Sequence, residues 1–218
     1  MFSIINLNNR IFVLLELFLT LIGLCIFAWF IHGDRFSFII AMGGLILASS
    51  VISRAIIKSD SLLSVFGLDH WNKKIIIYCS IGIFIGIILA LVSRYVYKLS
   101  FIPGTLTFVA FASPLIGMTE ELIFRGYMQG RLRKIHIISS IYIAAASHTL
   151  YKFLVLRSLP DGIRIHFFAL ITLTFGVGIL LGYLRELSGN ALPAMIMHAT
   201  FDIVLYGDFT EMPEWVWG

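Results

Sequence analysis

The chain has 218 residues, of which 59% are hydrophobic and 13% charged, with a formal net charge of +4. An ordinary soluble domain carries about 25% charged residues, so this composition excludes one and describes a polytopic membrane protein, a single membrane domain over 1–218. The Lys and Arg residues flank apolar runs, which suits basic loops against an anionic lipid bilayer and argues against a nucleic-acid partner.

In chain order, hydropathy predicts about seven spans, at roughly 11–31, 36–54, 75–97, 103–130, 137–156, 166–185 and 191–206. The expected fold is therefore an all-α, polytopic transmembrane helical bundle. No small-residue cleavage site follows Ile11 to Ile31, so that run is expected to remain as a span. Cys25 and Cys79 fall inside spans and read as buried free thiols, with no disulfide and no metal role. The sizeable loop, about 55–74, carries Lys58, Asp60, Asp69, Lys73 and Lys74 and is expected at the interface, anchored by Trp71. The acidic tail from Asp208, with Trp215 and Trp217, suits a membrane–water boundary.

Orientation follows from the distribution of basic residues. With the N-terminus inside, nine fall on inner segments (Arg10, Arg54, Lys58, Lys73, Lys74, Arg131, Arg133, Lys134, Arg185). Six fall on outer ones (Arg35, Arg94, Lys98, Lys152, Arg157, Arg164). The bias favours an inside N-terminus and an outside C-terminal tail.

The fourth span breaks its apolar pattern with Glu120, Glu121 and Arg125. A charge at bilayer depth costs a few kcal/mol or more, so three in six residues require pairing, a cavity and a function. On a helix Glu121 and Arg125 are i,i+4 neighbours in the favourable order. Glu120 lies about 100° further round and is left over, and a carboxylate in a low-dielectric site can serve as a base. Pro114 removes a backbone hydrogen bond and is expected to kink this helix above the acids.

His148 follows the small residues Ala144, Ala145, Ala146 and Ser147, which let another helix approach closely. His198 and Asp202 are i,i+4 and share one face of the seventh span, where Asp202 can orient His198 or share a ligand with it. From the span boundaries, Glu121 lies about 15 Å from the inner end, His148 about 18 Å, His198 about 10 Å and Asp202 about 16 Å. Polar residues of three spans thus reach similar depth, placing the expected active site in the inner half of the membrane. His32, His70, His136 and His166 lie at span ends or in loops, Glu16 near an inner end, and neither group needs a special role. Gly176, Gly178 and Gly182 read as close-packing positions and not as phosphate binders.

Glu120-Glu121-x-x-x-Arg125, continued by Gly126, Tyr127, Met128, Gln129, Gly130 and Arg131, resembles the first motif of the CPBP family. These are the CAAX prenyl endopeptidases and the bacteriocin-processing or self-immunity proteins, also called Abi. The resemblance extends to His148 as the second-motif histidine and to His198-x-x-x-Asp202, after an Asn190-Ala191-Leu192-Pro193-Ala194 lead-in. It makes about 103–206 the catalytic core. Two positions depart from the pattern: Ala144 stands where an aromatic is usual, and Asp202 where Asn is frequent.

The resemblance implies an intramembrane endopeptidase acting on a membrane-anchored peptide or protein substrate. Glu120, helped by His148, would activate water; His198 and Asp202 would stabilise the oxyanion; Glu121 and Arg125 would support the helix. No cofactor is needed for this chemistry, with zinc on Glu120, His148, His198 and Asp202 as the metal-dependent alternative. His-Glu-x-x-His is absent. A catalytically idle immunity or scaffold protein is a second reading, which predicts decay of a motif. A transporter is a third, which predicts paired half-repeats. The implied localisation is integral and multi-pass, in the plasma (inner) membrane if the source is prokaryotic; a prenylated CAAX substrate fits a eukaryote, and a leader peptide or a C-terminal sorting tail fits a prokaryote.

Overall fold

A computed structural model describes residues 7–59, 61–159 and 167–212, and these are helical, with no strand among them. The helices are α1 (Leu7–Phe30), α2 (Arg35–Ile57), α3 (Leu62–Val65), α4 (Lys73–Val96), α5 (Phe108–Glu121), a π-helical segment (Leu122–Gln129), α6 (Gly130–Leu132), α7 (Ile137–Arg157), α8 (Phe167–Ser188) and α9 (Leu192–Leu205). The all-α expectation holds.

Among the described residues four helices are long and apolar enough to cross a membrane: Asn9–Phe30, Arg35–Ile57, Lys73–Val96 and Leu170–Ser188. They match the first, second, third and sixth expected spans. The other three are helical but shorter or more polar. The fourth divides into α5, the π segment and α6, α7 carries His148, Lys152 and Arg157, and α9 is a short apolar helix. These three hold the polar motifs; α5 and α9, at 14 residues each, are too short to cross alone, and α7, at 21 residues, is long enough but more polar.

Small residues let the apolar helices touch. A Cβ built on Gly82 or Gly86 of α4 would lie 2.8 Å from the Pro193 carbonyl oxygen or 2.5 Å from that of Met197, so α4 meets the backbone of α9 directly. α1 and α2 cross in the same manner at Gly23 and Gly44. Cys25 and Cys79 are free and half-buried. The interfacial loop contains α3 and leaves Trp71 68% exposed, as expected of an anchor. It is tied to the α8–α9 turn by Ala191 N donating to Gly67 O at 3.0 Å and Asn190 Nδ2 donating to His70 O at 2.9 Å. Asn190 Oδ1 also accepts from Leu192 N at 2.9 Å, starting α9, with Pro193 in its first turn.

Several residues assigned to loops or interfaces on sequence grounds do other work. Glu16 pairs with Arg131 at 3.1 Å, joining α1 to α6. His136 caps α7 by accepting from Ser139 N at 3.1 Å, and His32 bonds the Ser158 hydroxyl at 2.9 Å. His70 stays by Asp69 at 3.0 Å. Asp60, Arg164, His166, Trp215 and Trp217 lie outside the described residues. Arg94, Lys152 and Arg185 are buried in the bundle, so they no longer count as loop charges.

Arg94 acts as a staple. It is 1% exposed, donates to the carbonyls of Ser100 (2.6 Å), Val204 (3.1 Å) and Leu205 (2.8 Å), and pairs with Asp208. The end of α4 is thereby bound to the end of α9. Arg94→Ala should cost about 1–3 kcal/mol by stranding buried carbonyls, read as a lower melting temperature in detergent. Asp208 is held down at about 2 by the Thr105 backbone N–H, with Arg94 and Ser100 adding to it. A depressed carboxyl stabilises above its unfolded range, so this part of the stability should fade as pH drops from about 4 to about 2. The Arg94→Ala protein should show less of that fading.

Candidate active site

The site begins where α5 changes register. α5 runs as an α-helix through Pro114 to Glu121, so the expected distortion at the proline is replaced by the π segment that follows the acids. π turns inside α-helices occur frequently at functional sites. This one carries Phe124 and Arg125 into the centre of the bundle, where both are buried.

Glu121 and Arg125 pair as expected, and both are 0% exposed. Nη1 donates to Oε1 at 3.1 Å and Nε faces Oε2 at 3.1 Å. Arg125 Nη1 also lies 2.6 Å from His148 Nδ1. A guanidinium only donates, so Nδ1 is the acceptor and the proton of the neutral ring belongs on Nε2. That nitrogen points at Glu120 Oε2, 3.4 Å away. Arg125 therefore sets the tautomer with which His148 addresses Glu120.

Glu120 is not the unpaired acid that its helical position suggested. Lys152 Nζ lies 2.8 Å from its Oε2. The reason is that α7 extends to Arg157, so Lys152 falls one turn beyond His148 inside the bundle and not in an outer loop. Both groups contact the same oxygen. The other, Oε1, is buried and has no protein hydrogen-bond partner among the described residues.

His198 is held by Glu121, whose Oε1 lies 3.0 Å from Nδ1. Asp202 lies 3.9 Å from Nε2, beyond hydrogen-bond reach, so the carboxylate that orients this ring is Glu121. The two histidine rings are 6.4 Å apart between centroids. Glu121 thus serves both Arg125 and His198 and joins the two halves of the cluster.

Three supporting features escaped sequence reasoning. Phe124 stacks on His148 with centroids 4.6 Å apart and planes 26° apart, supplying from the π segment the aromatic contact that Ala144 cannot. Gly117 lets α9 press against α5: a Cβ there would lie 2.5 Å from Asp202 Oδ2 and 2.7 Å from His198 Cδ2. Lys152 was visible as the residue at i+4 from His148, on the same helical face. The expected packing glycines divide. Gly178 meets Arg125 Nη2 at 3.0 Å and Ala145 Cβ at 3.1 Å, Gly182 meets Ile141 Cγ2 at 2.8 Å, and Gly176 faces nothing within 4 Å.

The donors do not fit a zinc ion as they stand. Among the described residues no three His, Cys, Asp or Glu side chains converge as a ligand group. Glu120 Oε2 faces the Lys152 ammonium and His148 Nδ1 faces the Arg125 guanidinium, so a cation already sits against one donor atom of each residue.

The fold and this cluster define a helical membrane protein with a buried polar centre of three carboxylates (Glu120, Glu121 and Asp202), two cations (Arg125 and Lys152) and two histidines. Residues 102–204 match the family model described as Rce1-like, type II CAAX prenyl endopeptidase. That stretch, which carries every motif residue named above, is similar to the CPBP/CAAX protease family. No curated protein and no solved structure matches the chain.

Proposed function

We propose that the chain is an intramembrane endopeptidase that hydrolyses a peptide bond of a membrane-anchored peptide or protein through a water activated by Glu120. The observation that carries this reading is the asymmetry of Glu120. One oxygen is fixed by Lys152 and His148 while the other is buried without a protein partner, the arrangement a general base needs toward water. The family match supports the reaction class.

In this reading Glu120 Oε1 takes a proton from water as the water oxygen adds to the scissile carbonyl carbon. The C–N bond then breaks, and Glu120 returns the proton to the leaving amine. His148 donates its Nε2–H to Oε2 and holds the carboxylate. In this reading His198, held by Glu121, stabilises the oxyanion as an imidazolium, and Asp202 adds a donor to it only in its protonated form. The catalytic core is the segment 103–206, within the single membrane domain. The reading is metal-free, supported by the cations already seated against the donors.

The test uses purified protein in proteoliposomes and a farnesylated peptide ending in a CAAX tetrapeptide. Release of the C-terminal tripeptide, unaffected by a chelator, is expected. A membrane-anchored leader peptide is the second probe, and cleavage of it alone would move the substrate class. Hydrolysis of neither would refute the protease. Chelator inhibition reversed by zinc would refute the metal-free mechanism.

Gly117→Ala offers a check on geometry within the same assay. Its new methyl pushes on Asp202 and His198, and a shift of roughly 1 Å at catalytic groups costs about 10²-fold. Turnover should fall by that order while the melting temperature changes little. Unchanged turnover would mean that His198 and Asp202 take no part.

A further inference from the structure

Resting on the protease reading, we propose that Lys152 is a positioning residue: with His148 it clamps one oxygen of Glu120, so that the other alone is presented to the hydrolytic water. Lys152 is 8% exposed, and its Nζ sits 2.8 Å from Glu120 Oε2. His148 Nε2 reaches the same oxygen at 3.4 Å. The two are i,i+4 on α7, so one helix face delivers both contacts.

A carboxylate taken out of water costs several kcal/mol unless a cation and hydrogen bonds compensate it. Glu121 has Arg125 for this, within its own chain segment. Glu120 has the neutral imidazole of His148, one N–H at long range, and needs a full charge from elsewhere. Lys152 supplies it. The ammonium also acts electrostatically on Asp202 from α9, and the groups that act on Glu120 beside it are His148 on the same helix and His198 from α9. A compact ammonium on a flexible stem fits a single oxygen, whereas a guanidinium would reach for both. Engaging one oxygen is the point: a bidentate cation would occupy Oε1 as well and leave no acceptor for the water proton. A structural ion pair has no such requirement, and this difference makes the role testable.

The experiment measures kcat and KM for the farnesylated CAAX peptide in proteoliposomes, beside the melting temperature of each variant. Lys152→Met keeps the stem and removes the charge. It should lower kcat by about 10²-fold while KM stays within about twofold, the signature of a contact that matters in the transition state. Lys152→Arg keeps the charge but adds a second donor to the carboxylate. Its melting temperature should stay near that of wild type while its kcat falls with the methionine variant's. A merely structural pair predicts the reverse, with arginine restoring turnover along with stability. If the methionine variant does not fold, the arginine variant decides alone: wild-type kcat overturns the proposal and a deep loss with a normal melting temperature supports it. Wild-type kcat in Lys152→Met, with Glu120→Gln inactive, overturns the proposal and leaves the protease reading intact. Failure of the wild-type protein to cleave either the farnesylated peptide or the membrane-anchored leader peptide overturns both; cleavage of the leader peptide alone moves these kinetic comparisons to that substrate.

Discussion

Glu120→Gln should lower kcat for peptide hydrolysis by about 10²- to 10⁴-fold, the span over which general-base catalysis operates. The substitution keeps the volume and leaves an amide oxygen for His148 Nε2–H, so the ring stays in place. It removes the group that takes the water proton. It also removes the partner of the Lys152 ammonium, which would then lie buried beside a neutral amide. Stability should therefore fall along with activity, and the melting curve separates the two: the loss of turnover must persist under conditions where the variant is fully folded. Glu121→Gln gives the contrast. Glu121 takes no proton in this mechanism, but it accepts from both Arg125 and His198. Its loss should act mainly through stability and through a disordered His198. If folded Glu120→Gln keeps wild-type turnover, Glu120 is not the base.

The polar centre was legible because ionisable residues in apolar runs are conspicuous. Glu120, Glu121, Arg125, His148, His198 and Asp202 all stand in such runs, and the structure places the acids and histidines within contact of one another. Its wiring was less legible. Lys152 and Arg94 were counted as loop charges because both lie near the ends of hydropathy windows. The expected span to 156 already ran past Lys152, but hydropathy averages over a span and does not see that this side chain turns inward to Glu120. The i+4 relation to His148 carried the missing information. The π segment had no such signature. Six of its eight residues are buried, so there is no exposed face to set a period, and its register follows from the packing of Phe66, His148 and Gly178 around it. The same feature explains how Phe124 replaces the aromatic expected at position 144, since a change of register rotates the following side chains relative to α5.

Asp202 shows what spacing alone leaves open, since a shared face allowed it either to orient His198 or to share a ligand with it. Glu121 reaches the ring first, because Gly117 allows α9 to lie directly on α5. Asp202 is left 3.9 Å from Nε2, too far to hydrogen-bond the ring.

Arg125→Ala should be the most destabilising single change in the chain, by about 3–5 kcal/mol, the cost of removing one partner from a buried ion pair. Glu121 and Arg125 are both fully buried, so neither can turn to water when the other is lost. The effect reaches further than the pair. Arg125 Nη1 holds His148 Nδ1, and without it the imidazole is free to exchange tautomers or turn away from Glu120. Cleavage should vanish even in whatever fraction of Arg125→Ala still folds. Arg125→Lys should recover part of the stability, since one ammonium can face Glu121. It should not recover full turnover, because a point charge cannot serve Glu121 and His148 in the manner of a fork. The double variant Glu121→Gln/Arg125→Gln removes both charges and should be more stable than Arg125→Ala, since no charge is left buried alone. Melting temperatures of the three variants against wild type, in the same detergent, test this ordering. A double variant as unstable as the single one would show that shape, and not charge, holds this part of the bundle together.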